Sequence, residues 1–196
     1  MADAKLTHSD LIRNPIKHKP TGKELRQLFR YDDETGRLYW RERTGHSREV
    51  QIFNTQFAGK EAGWIFKPIR GTDPYRQVCI RHNNKNVHYR AHHIIWAMHH
   101  DRWPRIVDHD NGDTLDNKIG NLREATQGQN NANAKRHKNN TSGYKGVFYN
   151  KWNKTWCAST GIDGKCIRKN FKTIEEAIEF RKKIAKKMHG DFYREE

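Results

Sequence analysis

The apolar positions of this chain change period several times, and each change marks a predicted element. From Thr21, a candidate N-cap with Glu24 at the capping-box position, Leu25, Leu28 and Phe29 recur at helical spacing. The run Asp33-Glu34-Thr35-Gly36 predicts a turn into a short strand over residues 37–40. Residues 41–63 are charged and weakly patterned, and no element is predicted there. Alternation returns over residues 76–90, with Val78 and Ile80 on one side of Asn83-Asn84 and Val87 and Tyr89 on the other. That is the pattern of a hairpin. Residues 91–100 carry Ile94, Ile95 and Met98 as a short apolar helix, and Pro104 ends the region. A strand over residues 106–109 leads into a loop rich in Asn, Gly and Asp that closes at Gly120. Residues 121–125 can pair back as a second strand, and Thr126 caps a helix running through Ala134.

A polar run, Lys138-Asn139-Asn140-Thr141-Ser142-Gly143, marks an expected domain boundary. Beyond it three short strands are predicted, over residues 146–149, 155–160 and 165–168, with Asp163-Gly164 as a two-residue hairpin turn. Thr173 and Glu176 form a second capping box, opening a helix whose apolar stripe holds Ile174, Ala177, Ile178, Ile184, Ala185 and Met188. Gly190 is the expected stop. The Arg181-Lys182-Lys183 and Lys186-Lys187 face of that helix reads as solvated, with tracking of backbone phosphate as the alternative.

Composition narrows the class. With 196 residues of which 34% are hydrophobic, one large core is disfavoured and small modules are expected. A net charge of +15 predicts a polyanionic partner. The last third of the chain is markedly basic, yet six Trp, seven Tyr and eight Phe argue against a disordered basic tail. Cys79, Cys157 and Cys166 form no paired motif, so neither a disulfide framework nor a structural zinc is expected, and a reduced cytoplasmic setting is. Residues 1–10 lack an apolar core, and no window is apolar enough for a membrane span, so neither secretion nor a membrane partner is expected.

The chemistry concentrates in Asp108-His109, Asn121-Leu122-Arg123 and Gln129-Asn130. His109 can take a proton from water near neutral pH. Asp108 can hold a hard divalent ion such as Mg²⁺ or Mn²⁺ through oxygen, with Asn130 completing a sparse protein shell, although Asn131 and Asn133 compete for that place. Asn121 has the reach to bond backbone groups of the 110–120 loop and so fix His109, a positional role. Together these are the parts needed to hydrolyse a phosphodiester with one divalent ion.

The segments Ala91-His92, Asp108-His109-x-Asn111-Gly112-Asp113, Leu115-Asp116-Asn117, Asn121-Leu122-Arg123-x-Ala125-Thr126 and Gln129-Asn130-Asn131 resemble phage HNH homing endonucleases. The likeness covers roughly residues 21–135 when Tyr31-Asp32-x-Glu34-Thr35-Gly36 is included. It implies an α+β protein with a ββα-metal nuclease core, Asp108 and Asn130 as metal ligands, His109 as general base and Asn121 as loop brace. His92, His93 and Arg123 would support the phosphate or the active site, with His93 standing where the family usually has Arg. Residues 141–190 are similar to the APETALA2-like DNA-binding domain through Ser142-Gly143-Tyr144-Lys145-Gly146-Val147, Trp156-x-Ala158, Gly164-Lys165, Phe171 and Glu176-Ala177. That likeness implies a small three-stranded sheet packed on one helix, with Lys145, Phe148, Asn150, Trp152, Ser159, Lys165 and Arg168 as candidate DNA contacts.

The expected organisation is a flexible N-terminal arm over residues 1–20, an accessory segment over 21–74, the nuclease core over 75–137 and the DNA-binding domain over 138–196. The expected activity is metal-dependent nicking of double-stranded DNA by a monomer or weak dimer in a bacterial host cell. A non-catalytic, sequence-specific DNA-binding protein on the same scaffold is the competing class, and RNA binding or cleavage a third.

Overall fold

The computed structural model describes residues 19–69, 73–82, 85–136, 139–162 and 164–194. Most of the expected arm, the Asn83-Asn84 turn, Lys138 and Asp163 lie outside these residues. The described chain is a mixed α and β structure with five helices and four small sheets. It condenses into two units, one ending at Glu124 and the other spanning Ala125–Glu196.

In the first unit, Thr21 caps helix α1 (Gly22–Leu28), and its capping box with Glu24 is formed. Strands β1 (Phe29–Asp32) and β2 (Arg37–Trp40) follow as an antiparallel hairpin. Helix α2 (Arg48–Phe57) occupies the stretch with no sequence prediction. Its stripe of Val50, Phe53 and Phe57 is thin among polar residues; Val50 faces inward while Phe53 packs edge-on against Trp40 and beneath the Arg43 guanidinium. Desolvation there pulls the Arg43 pKa down to about 10. Strands β3 (Trp64–Phe66), β4 (Tyr75–His82) and β5 (Lys85–Arg90) form a three-stranded antiparallel sheet in that order. The expected hairpin is therefore the larger part of a wider sheet.

Helix α3 (Ala91–His100) follows β5 without a linker and is buried along nearly its whole length, from Ala91 to Met98 apart from His93. Ile94 and Ile95 join Leu25, Phe29, Leu38 and Val78 in one core, all fully or almost fully shielded. Strand β6 (Val107–His109) pairs antiparallel with β7 (Leu122–Glu124), and Val107 and Leu122 anchor this ribbon to the same core.

The second unit begins with α4 (Gln127–Asn133), capped by Thr126 in a reciprocal box with Gln129. Strands β8 (Val147–Asn150), β9 (Thr155–Ile162) and β10 (Lys165–Phe171) form an antiparallel meander with β9 central. Helix α5 (Ile174–His189) packs on it, with Val147, Ala158 and Ala177 at the centre of the core. The buried stripe of α5 runs through Ala177, Arg181, Ala185 and His189. This corrects the sequence reading of Arg181 as solvated. The guanidinium lies over the Tyr193 ring, and the Arg stem is apolar enough to be covered. Ile184 and Met188 are only half-buried.

Candidate active site

The β6–β7 register sets the first part of the site. Asp108 stands opposite Arg123, and His109 stands opposite Leu122. Side chains alternate along a strand, so Asp108 and His109 leave the ribbon in different directions. His109 is nonetheless the last residue of β6, and the Asp108 charge still acts on its imidazole. Both are 5% exposed. Arg123 donates from Nε to Asp108 Oδ2 at 3.0 Å, its Nη2 lies 3.0 Å from the same oxygen, and its Nη1 reaches Asp110. A buried carboxylate needs a countercharge, and a guanidinium supplies it here.

On the other face, His109 Nε2 is 3.0 Å from Asn117 Oδ1 in a buried hydrogen bond. An amide oxygen only accepts, so the imidazole proton sits on Nε2 and Nδ1 is the basic nitrogen. The His109 ring also meets His92 edge-on at 4.8 Å between centroids, and His92 meets His93 in the same way at 4.8 Å. Burial holds His109 below its ordinary pKa, against the opposing pull of Asn117 and of Asp108, Asp113 and Asp116. His92 is driven well down by burial and by its His109, His93 and Arg90 neighbours. His93 falls to about 4, first through burial and then through Arg90. The cluster is therefore neutral at neutral pH.

These three imidazoles make a prediction for stability. Their folded pKa values lie below the ordinary 6.5, so the unfolded chain takes up protons first as the pH falls. Stability is fully present above 6.5 and falls as the pH drops below it, the His93 share being lost by about 4. A thermal melting series across that window should show a falling Tm, and His93→Gln should flatten the fall.

Asn121 braces the loop that joins the two strands. Its Oδ1 accepts from the Asn111 backbone N–H at 3.0 Å, and its Nδ2 donates to Asn111 Oδ1 at 3.0 Å and to the Asp116 carbonyl at 2.8 Å. The loop is held from outside as well. Tyr31 on β1 donates from its hydroxyl to the Asn117 carbonyl at 3.2 Å and accepts from the Ile119 N–H at 2.8 Å. Gly36 in the β1–β2 turn has φ +69°, and a Cβ there would meet the Lys118 backbone nitrogen at 2.6 Å. Only glycine permits both the conformation and the approach. Tyr31→Phe leaves the Ile119 N–H without its partner and is expected to destabilise the unit by about 1 kcal/mol, measured by urea unfolding.

Sequence reasoning missed Asn117 as the partner of His109 and Tyr31 as a support of the loop. Both lie in segments that carried the resemblance, Leu115-Asp116-Asn117 and the Tyr31–Gly36 stretch, so the signal was present without its role. Asn130 is half-buried on α4, in the second unit. Of its competitors, Asn131 is exposed and accepts from Gln127 Nε2 at 2.9 Å, while Asn133 is 5% exposed. Among the described residues, no group of three or more His, Cys, Asp or Glu stands together as a metal cage. A carboxylate is the donor type a hard cation prefers, so Asp108 suits one by chemistry, with its Oδ2 engaged by Arg123.

The candidate DNA contacts of the second unit fall into different places. Asn150, Ser159 and Arg168 share with Phe148 the sheet face turned away from α5, and the Arg168 guanidinium lies 5.9 Å from the Phe148 ring centroid. Lys165 is three positions from Arg168 on β10 and so belongs to the opposite face. Trp152 is 95% exposed in the β8–β9 turn, whereas Trp156 packs against the core. Lys145 is half-buried, with Nζ donating to the carbonyls of Asn131 at 2.9 Å and Ala132 at 2.8 Å. Its ammonium closes the C-terminal end of α4, where a cation is favoured.

The family model for HNH endonuclease matches residues 89–132, from the end of β5 to α4. Residues 89–132 are thus similar to an HNH endonuclease domain. Protein 3.8 of Escherichia phage T7 is 29% identical over 107 residues, which span 54% of this chain and 88% of the relative. No solved structure matches the chain. No helix among the described residues is long and apolar enough to cross a membrane.

Proposed function

We propose that this protein is a metal-dependent DNA endonuclease of the homing type, with His109 as the general base. The observation that carries this reading is the buried His109–Asn117 hydrogen bond inside the HNH domain, which commits Nε2 and makes Nδ1 the nitrogen that takes a proton from water. Burial keeps that imidazole unprotonated at neutral pH. Asn121 holds the loop, and Asn117 with it, so that the ring keeps one orientation. Asp108 and Asn130 would hold one Mg²⁺ or Mn²⁺. When bound, the ion supplies charge stabilisation at the phosphate and the leaving 3′ oxygen. Arg123 neutralises Asp108 and Asp110, and Asp108 can trade that partner for a cation.

The substrate of this reading is duplex DNA, held by the second unit as an APETALA2-like domain would hold it, a reading supported by the three-stranded meander backed by α5. Asn150, Ser159 and Arg168 would face the DNA with Trp152 at the rim, while Lys145 acts on the fold. One site hydrolyses one strand, so a monomer nicks.

Supercoiled plasmid incubated with the protein and Mg²⁺ is expected to convert to open circle, and EDTA to abolish the conversion. Tight duplex binding with no strand cut under any divalent ion would replace this reading by a non-catalytic DNA-binding protein. The Arg123–Asp108 pair is the observation that favours that second reading, since it occupies an oxygen the ion would use.

A further inference from the structure

The β3–β4–β5 sheet has one face spent on the core and one turned outward. Val78 and Ile80 of β4 point inward and are 0% and 6% exposed. The alternate positions of β4 therefore point outward, and the register carries that face across all three strands. Trp64 is paired with Gln77, and Phe66 with Tyr75. On the other side, Gln77 is paired with Arg90, Cys79 with His88, and Arg81 with Asn86.

The outward face thus combines three aromatic rings with two guanidinium groups and an imidazole. Trp64 and Phe66 are 42% and 38% exposed, and Arg81, His88 and Arg90 are exposed as well. None of the nine outward positions is acidic. The rings are held by neighbours: Trp64 meets His88 edge-on at 5.5 Å, Phe66 lies 5.4 Å from Tyr75, and the Arg90 guanidinium is 4.8 Å from the Tyr75 centroid. Arg90 is also the residue before α3, so the face ends one turn from His92 and His93.

Phosphates alone would be met by lysines and arginines without rings. A protein partner would also use rings and arginines, but it would gain less from cations spread along the whole face than a polyanionic strand would. Exposed ring faces interleaved with cations and free of carboxylates suit stacked bases with their backbone alongside. We propose that the outward face of β3–β4–β5 is a binding platform for an unpaired DNA strand, separate from the sheet assigned to duplex DNA in the second unit. The platform stands whether or not the chain cuts.

The test is fluorescence anisotropy of labelled oligothymidylate, about 12 nucleotides long, titrated with the full chain at several salt concentrations. Trp64→Ala and Phe66→Ala are each expected to weaken binding by about tenfold, while Trp64→Tyr keeps most of the affinity. Arg81→Glu is expected to weaken it and to reduce the dependence on salt. Far-UV circular dichroism melts identify any variant that fails to fold; Trp64→Tyr and the exposed Arg81→Glu then carry the comparison. Absence of oligothymidylate binding by the wild type overturns the proposal, as does unchanged affinity in Trp64→Ala. Equal loss in Trp64→Tyr and Trp64→Ala overturns it too. So does a concentration-dependent dimer that Trp64→Ala dissolves without altering oligothymidylate affinity, which would assign the face to a second copy of the chain.

Discussion

His109→Ala is expected to slow DNA cleavage by about 10²–10⁴-fold, the range over which one positioned acid–base group acts, with duplex binding retained. The imidazole has Nε2 committed to Asn117 and is shielded from solvent by its neighbours. Among the described residues, the nearest imidazoles are those of His92 and His93. His92 and His93 are held lower in pKa, His92 by deep burial and His93 at about 4, which makes each a poorer base than His109. Because His109 itself titrates below 6.5, cleavage should be level through neutral pH and fall only on the acid side of that value. Single-turnover nicking of supercoiled plasmid across a pH series measures both effects. Undiminished cleavage by a folded His109→Ala protein would remove this residue from the chemistry.

Asn117→Ala is expected to cost about 10–100-fold in the same assay, through loss of ring orientation rather than loss of the base. The variant also carries a signature in pH. The Asn117 bond raises the His109 pKa against the effect of burial, so its removal should move the acid limb of cleavage to lower pH. Asn117→Asp puts a carboxylate beside the same nitrogen, where it favours imidazolium, and should move the limb to higher pH. Opposite displacements in the two variants identify Asn117 as the residue that positions and tunes His109. A limb that stays in place in both would reduce Asn117 to a prop of the loop, whose backbone Tyr31 already holds.

The helix starts were legible because a capping box is a local device. Thr21 with Glu24 and Thr173 with Glu176 form as their spacing predicts, and the expected cap Thr126 adds a box with Gln129. The strands over residues 76–90 were legible because alternation of Val78 and Ile80 reports burial on one face. Helix α2 was not, because its apolar positions are few among polar ones and Val50 alone is buried. Arg181 was misread for a related reason. A basic residue at a core position looks like surface until the ring of Tyr193 and the sheet are seen around it.

The candidate site divides in the same way. Residue types and their spacing singled out Asp108, His109, Asn121 and Asn130 without any coordinates. Which groups each one meets was beyond their reach. The ribbon register decides that Asp108 faces Arg123 while His109 faces away from it. The fold of the 110–120 loop decides that His109 bonds Asn117, while Asn121 bonds Asn111 and Asp116. A tertiary contact likewise draws the Lys145 ammonium onto the α4 carbonyls. By itself, then, the sequence determined most of the elements and a set of candidate side chains for phosphodiester chemistry, because caps, turns and alternation act between near neighbours. Only the tertiary structure decided the partners of those side chains, because hydrogen bonds and ion pairs are settled through space, between residues the chain brings together after its local structure has formed.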